Sequence, residues 1–234
     1  MEYHCDKCND LGGKYYRDEN GYLIWQTCGC IKVKKALVRF KMSGLGEMLK
    51  LYTFDKFKTE FDWQKDIYKK AIDFVNSENK WFVMSGQSGA GKSHLCTAIV
   101  RELLLKQEKG FKFMQWIDES NRLKRNMMDN ELYDRLMNEL KEIEVLYIDD
   151  FFKSENNTKP TSADIKLANE ILNYRYNVAR ISKERFITII STERTMGQLM
   201  EYDEALAGRI IEMTKPNNFI QLIGKEKNYR LKSK

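Results

Sequence analysis

The sequence predicts an α/β domain, a mostly parallel five-stranded sheet covered by helices on both faces, with a small cysteine-rich segment in front. Two observations carry this. From Trp81 onward, short apolar runs alternate with helical periodicities, and strands that alternate with helices pair in parallel and are buried on both faces. Four of the five cysteines, Cys5, Cys8, Cys28 and Cys30, fall near the start of the chain, in a stretch with little helical periodicity. A length of 234 residues suits one such domain and a small appendage.

Taken in order, residues 1–35 are glycine- and cysteine-rich, and 36–60 read as a connector. In the connector, Ala36 to Met42 suggests a short basic helix before Ser43-Gly44-Leu45-Gly46. Residues 61–234 then form the α/β domain. Apolar positions at Ile67, Ala71, Ile72, Phe74 and Val75 predict a helix from Trp63 to Asn76. Trp81 to Met84 reads as a strand, Lys92 to Lys109 as a helix, and Phe111 to Trp116 as a second strand. One helical stretch runs from Glu119 to Lys141, followed by a buried strand over Val145 to Ile148 and a helix over Ala163 to Ala179. Phe186 to Ile190 is the fourth strand, helices lie near 195–213, and Phe219 to Ile223 is the last strand. No internal repeat or low-complexity segment stands out.

Composition narrows the function classes. Apolar residues make up 42%, enough for a packed core, and the two prolines, Pro160 and Pro216, argue against a long disordered linker. No apolar run approaches the roughly 20 residues that cross a bilayer, so no membrane partner is expected. The start, Met1-Glu2-Tyr3-His4-Cys5, has neither a basic region nor an apolar stretch. A signal peptide is therefore not expected, and a cytoplasmic location is. The net charge of +6 permits nucleic-acid contact, although scattered lysines are ordinarily solvated surface.

The densest chemistry lies at Gly86-Gln87-Ser88-Gly89-Ala90-Gly91-Lys92-Ser93, a complete G-x-x-x-x-G-K-[ST] between a strand and a helix. Glycines let the backbone wrap around phosphate oxygens, and the following helix adds the field of its N-terminus. Lys92 would reach the β- and γ-phosphates, and Ser93 would offer a hydroxyl to Mg²⁺. His94 follows at once and counts with the loop as a nucleotide-site residue; a local helix contact is the plainer reading. The apolar strand Val145-Leu146-Tyr147-Ile148 ends in Asp149-Asp150. Asp149 would hold the Mg²⁺ shell and Asp150 would orient or deprotonate the attacking water. A strand running into an Asp-rich turn is the alternative.

Between Lys92 and Asp149 there is room for an extra strand, Phe111 to Trp116. In the P-loop branch that includes AAA+ and RecA-like ATPases a strand separates the P-loop strand from the acidic strand; in kinases and GTPases the two are neighbours. The doubled carboxylate also suits a water-activating ATPase better than a phosphotransferase. After the fourth strand, Ser191-Thr192-Glu193 offers a polar sensor for the γ-phosphate or a strand-end turn. Arg209, within Asp203 to Ile210, is either an arginine finger for a neighbouring subunit or a helix-surface arginine.

Together these residues resemble the DnaC/DnaI/IstB group of AAA+ ATPases, especially its short DnaC-like members from phages and Gram-positive bacteria. The likeness runs from Cys5-x-x-Cys8 and Cys28-x-Cys30 through Tyr52-Thr53-Phe54-Asp55-Lys56-Phe57, Gly91-Lys92-Ser93-His94-Leu95 and Asp149-Asp150-Phe151-Phe152-Lys153. It continues with Asn173-Tyr174-Arg175-Tyr176, Thr188-Ile189-Ile190-Ser191-Thr192, Asp203 to Ile210 and Asn228-Tyr229-Arg230. The resemblance implies an ATP- and Mg²⁺-dependent loader that binds the replicative helicase and places it on single-stranded DNA. An IstB-like transposition helper acting on duplex DNA is the alternative, and a P-loop kinase a third reading. By position Arg209 matches the family's trans-acting arginine, which implies self-association. Phe54 and Phe57 fall where such proteins pack against adenine, or else belong to the core. Better-studied loaders carry Asn where this chain has Glu193. A carboxylate would be repelled by the γ-phosphate, so Glu193 is expected to point away and leave Ser191 or Thr192 as the contact, with Thr192 the catalytic candidate. The chain runs only a few residues past Arg230, so neither a separate helical lid domain nor a second sensor arginine is expected.

Cys5, Cys8, Cys28 and Cys30 together suit one Zn²⁺ held by four thiolates; free thiols or another metal are the alternatives. His4 beside them could substitute for one cysteine, although a chance neighbour is the plainer reading, and Cys96 reads as a small buried apolar residue. A segment this small cannot bury much of a core, so the metal would supply its folding energy. By resemblance the segment would grip the helicase. Phe151, Phe152 and Lys153, following the acidic strand, offer base stacking and phosphate contact to single-stranded DNA.

Overall fold

The front segment folds as a hairpin, which the sequence reading did not anticipate. β1 (Gly13–Arg17) pairs antiparallel with β2 (Leu23–Thr27), Tyr15 opposite Trp25. The turn is made by Asp18, whose carboxylate accepts from the N–H groups of Asn20 and Tyr22 at 3.0 and 2.8 Å, with Gly21 at φ 83°. Asn20-Gly21 was the available signal, since such a pair tolerates the left-handed backbone of tight turns. The computed structural model describes residues 4–228 except 32–33, 36–37, 39–45, 47, 108–109, 155, 157, 183–185 and 215–216. Of the basic helix expected over Ala36 to Met42, all but Val38 lies outside the described residues.

The remaining elements follow the expected alternation. They are α1 (Met48–Leu51), α2 (Asp62–Asn76), β3 (Trp81–Gly86), α3 (Lys92–Gln107), β4 (Phe111–Gln115), α4 (Trp116–Arg125), α5 (Asn130–Glu142) and β5 (Val145–Asp149). Then come α6 (Ser162–Ile181), β6 (Ile187–Thr192), α7 (Met196–Tyr202), α8 (Glu204–Thr214), β7 (Phe219–Leu222) and one 3₁₀ turn at Lys225–Lys227. Among the described residues no separate helical lid follows. The single helix expected over Glu119 to Lys141 is two helices. α4 ends at Asn126, and α5 restarts under Asp129, whose carboxylate accepts from Leu132 N–H at 3.0 Å and so caps one of the new orphan donors.

All five strands of the main sheet are parallel, in the order β4-β5-β6-β3-β7. One strand does separate the glycine-loop strand β3 from the acidic strand β5, but it is β6. The Phe111–Gln115 strand, which the sequence suggested for that place, lies at the sheet edge beyond β5. Chain order does not report sheet order, because a crossover helix can carry the next strand to either side.

Alternation along each buried strand divides the core in two. Phe82, Met84, Val145, Tyr147, Ile187 and Ile189 face one side, where α2 and α3 contribute Ile67, Phe74, Leu95, Ile99 and Leu103. Trp81, Val83, Leu146, Ile148 and Ile190 face the other, against Leu140 of α5, Leu167 and Ile171 of α6 and Ile210 of α8. The strands read as continuous apolar runs because both faces are covered. From Leu49 onward the connector joins the first of these cores through Leu49 and Phe54.

On the second face sits Arg175, fully buried. Its guanidinium donates to the carbonyls of Leu140, Lys141, Ile143 and Ile187 and to Thr188 Oγ1, at 2.5 to 3.1 Å. It thereby satisfies carbonyls that the C-terminus of α5 leaves without intrahelical partners, and ties that helix end to β6.

Candidate functional site

β3 delivers the chain to Gly86 at φ 134°, where a Cβ would lie 2.0 Å from the Leu222 carbonyl oxygen of β7. No side chain fits there, so glycine is required for the sheet to reach the loop. The Gln87 side chain then grips the backbone of Gly224, accepting from its N–H at 3.0 Å and donating to its carbonyl. Gly91, at φ 82°, packs against Phe57, whose ring a Cβ would meet at 2.9 Å. The loop runs into the first turn of α3 and frames a cavity of about 390 Å³. That volume is within the range of small-molecule sites. Ser88 to His94 line it together with Tyr52, Lys56, Phe57, Lys58, Trp63, Gln64, Asp150, Lys153 and Glu193.

Lys92 is 6% exposed, and its ammonium donates to the Gly86 and Gln87 carbonyls, each at 2.8 Å. Burial pulls its pKa down, while Glu193, Asp150 and Asp149 pull it up. Among the described residues no carboxylate lies within ion-pair distance of it. A buried ammonium without a counter-anion, in a glycine loop at a helix N-terminus, fits a phosphate group. Ser93 Oγ donates to Asp149 Oδ1 at 3.1 Å. The same oxygen accepts from the buried Tyr147 hydroxyl at 2.6 Å and from Ser191 Oγ. Ser93 and Asp149, from two elements, are thus side by side, as a shared Mg²⁺ shell requires.

Beyond Asp149 the chain makes an unusual turn. Asp150 and Phe152 both have left-handed backbones, at φ 54° and 59°, a conformation that costs a bulky residue energy unless its surroundings enforce it. The end of β6 does the enforcing. Ser191 Oγ accepts from Asp150 N–H at 3.1 Å and the Ser191 carbonyl from Phe151 N–H at 2.8 Å. Thr192 Oγ1 donates to the Phe151 carbonyl at 2.7 Å, and Arg194 Nε to the Phe152 carbonyl at 3.2 Å. Thr192 is fully buried and its hydroxyl is engaged with this backbone, so Ser191, not Thr192, is the hydroxyl beside the acidic pair. Arg194, 5% exposed and also bonded to the Thr158 carbonyl, carried no sequence signal as a member of this assembly.

Two sequence expectations are corrected here. Phe151 and Phe152 are 0% and 1% exposed, stacked on each other at 4.0 Å and edge-on to Trp116. Neither offers a face to DNA, because the core on this side of the sheet needs their area. Glu193 does not point away but lines the cavity. The expected repulsion is offset by Lys153, whose ammonium lies 2.7 Å from Asp150 Oδ2 and 3.9 Å from Glu193 Oε1.

The two connector aromatics separate: Phe54 is buried in the core, whereas Phe57 lines the cavity with Tyr52. His94 stacks on Tyr52 at 4.9 Å, meets Phe57 edge-on at 5.2 Å and donates from Nε2 to the Thr53 carbonyl at 2.8 Å. Burial, partly offset by that carbonyl, holds its pKa below the usual histidine value. His94 is therefore both a helix contact and a wall of the cavity. Arg209 lies half-buried on α8, its guanidinium 5.7 Å from the Tyr176 ring, and does not line this chain's own cavity.

In the front segment the four cysteine sulfurs lie within 4.8 Å of one another, with Cys5–Cys28 at 3.7 Å and Cys8–Cys30 at 3.5 Å. A tetrahedral zinc with bonds of about 2.3 Å sets sulfur atoms about 3.8 Å apart, so the cluster fits one. Burial pushes the Cys30 thiol up; it acts likewise on Cys8, but hydrogen bonds from Cys30 and the Gly12 backbone bring that thiol down to about 7. His4 is turned away to Asp10, at 2.6 Å. Cys96 is fully buried, as expected.

A parallel sheet with β6 between the glycine-loop and acidic strands, bearing this lysine–serine–aspartate arrangement, defines a P-loop NTPase of the AAA+ type. The same order removes the kinase reading, which needs those strands adjacent. The chain belongs to the family described as Novel STAND NTPase 3, whose model matches residues 63–196. It is 31% identical over 223 residues to the phage-like element PBSX protein XkdC of Bacillus subtilis, covering 90% of this chain and 79% of that protein. It is 30% identical over 117 residues to the replicative helicase loader DnaC of Escherichia coli K12, covering 47% and 46%. The crystal structure of the DnaC helicase loader superposes with a TM-score of 0.61 at 22% identity, over 73% of this chain and 96% of that one, a likeness of fold. The protein is thus a DnaC-like AAA+ NTPase. Among the described residues no helix is long and apolar enough to cross a membrane.

Proposed function

We propose that this protein binds and hydrolyses ATP with Mg²⁺ and uses the cycle to load a replicative helicase onto single-stranded DNA. The observation that carries the nucleotide half is the convergence of Lys92, Ser93 and Asp150 on one cavity, with Asp149 bonded to Ser93. Gly86 to Gly91 with Lys92 would cradle the phosphates, and Ser93 with Asp149 would hold the metal. A bound Mg²⁺ would neutralise charge on the phosphate oxygens. Asp150 would orient a water against the γ-phosphorus and take its proton as the bond to the bridging oxygen breaks. Ser191 would fix Asp149, and Thr192 would set the turn that presents Asp150. Tyr52, Phe57 and His94 would enclose the base.

The loading half rests on the likeness to DnaC. The four cysteines would hold Zn²⁺ and shape a front module, 1–35, that contacts the helicase; 36–60 would connect it to the ATPase domain, 61–234. Arg209, which does not line its own cavity, would complete that of a neighbouring copy. Pull-down of the purified protein with the host or phage replicative helicase, with and without ATP, tests this. Retention in at least one nucleotide state is expected. No association in either state removes the loader while leaving the ATPase.

A further inference from the structure

We propose that Lys153 is the group that distinguishes a bound triphosphate from a diphosphate, and that Glu193 holds it in position to do so. This rests on the nucleotide reading above. The carboxylates of Asp150 and Glu193 and the lysines Lys56, Lys58, Lys92 and Lys153 line the cavity, with Asp149 bonded to Ser93 of its wall. Lys92 is already sunk into the loop's carbonyls. An added γ-phosphate would lie beside the Asp150 and Glu193 carboxylates unless the cation seated between them turned to it. Lys153 is that cation.

Its placement follows from the strained turn. The left-handed backbones of Asp150 and Phe152 fold the chain back, and Lys153 N–H donates to the Asp150 carbonyl at 2.9 Å. The buried Phe151 and Phe152 rings anchor the turn from below, and Ser191, Thr192 and Arg194 hold its backbone. The lysine side chain, 38% exposed, is free to exchange partners, and a flexible stem ending in a point charge suits such an exchange. With a diphosphate, the ammonium stays between Asp150 and Glu193. With a triphosphate, it turns to the γ-phosphate oxygens, and Asp150 is released towards the attacking water. Glu193 keeps the lysine inside the cavity in both states.

Calorimetry with Mg-ADP and with a non-hydrolysable Mg-ATP analogue tests this on wild type, Lys153→Met, Lys153→Arg and Lys153→Met/Glu193→Gln. Wild type that binds neither nucleotide overturns the nucleotide reading, and this inference with it. With wild type binding both, Lys153→Met is expected to weaken the analogue about tenfold or more, the scale of one charge-assisted hydrogen bond. ADP binding should change less than about twofold, which also shows that the variant is folded. Lys153→Arg should keep most of the discrimination, and the double variant should recover part of the lost affinity, because an uncompensated carboxylate is gone. Equal losses for the two nucleotides, or no loss, overturns the role of Lys153 while leaving the ATPase reading intact.

Discussion

At the scale of single residues, the buried polar groups are those whose replacement is most informative. Arg175 replaces water for four carbonyls and a hydroxyl at once. Arg175→Met leaves those acceptors buried and unpaired and is expected to lower unfolding stability by about 3 kcal/mol or more, read from urea denaturation. His94 gives a pH dependence. Its folded pKa lies below the ordinary 6.5, so protonation favours the unfolded chain. The stability it confers is complete above pH 6.5 and declines as the pH falls below that value towards its folded pKa. Thermal denaturation between pH 7.5 and 5 should show this decline, and His94→Gln should flatten it. An unchanged slope in the variant would assign the pH dependence elsewhere.

At the scale of elements, the turn after β5 and the front hairpin behave differently. Phe152 looked like a stacking platform when read beside Lys153, but it fills the core against Trp116, Phe151 and Tyr202. Phe152→Ala is accordingly expected to cost about 3–4 kcal/mol of folding stability, a loss visible in denaturation whether or not DNA is present. The strands β1 and β2 bury no side chain, and the small core of the front segment is Cys5, Cys8 and Cys30, outside the hairpin. Chelation of protein purified with zinc should release the metal and expose residues 13–27 to proteolysis, with the circular dichroism of the parallel sheet retained. Coincident loss of both would mean that the front segment and the sheet fold as one unit.

At the scale of the whole molecule, the proposed role of Arg209 makes the cavity complete only when a second copy is present. Arg209 does not line it, so hydrolysis is expected to depend on assembly. Arg209→Ala should keep ATP affinity and lose most turnover. Mixing it with Lys92→Ala should restore part of that turnover, because one copy then supplies the nucleotide and the other the arginine. Failure of the mixture to recover activity, with both variants folded, would remove the trans-acting arginine.

The sequence by itself determined the chemistry that must be local. The glycine loop, the strand ending in Asp149-Asp150 and the paired cysteines are contiguous patterns, each demanding a particular backbone or charge within a few residues. It also determined the alternation of strands and helices, because burial on two faces leaves a continuous apolar run. Tertiary structure alone decided the rest. It put β6 and not Phe111–Gln115 between the two functional strands, split one helical stretch at Asp129, buried Phe151 and Phe152, and turned Glu193 into the cavity beside Lys153. Those outcomes depend on pairing between residues some 40 apart, such as Asp150 with Ser191 and Phe152 with Arg194. A one-dimensional pattern records what each residue can bond to; which partner arrives is set by the packing of the sheet and its helices.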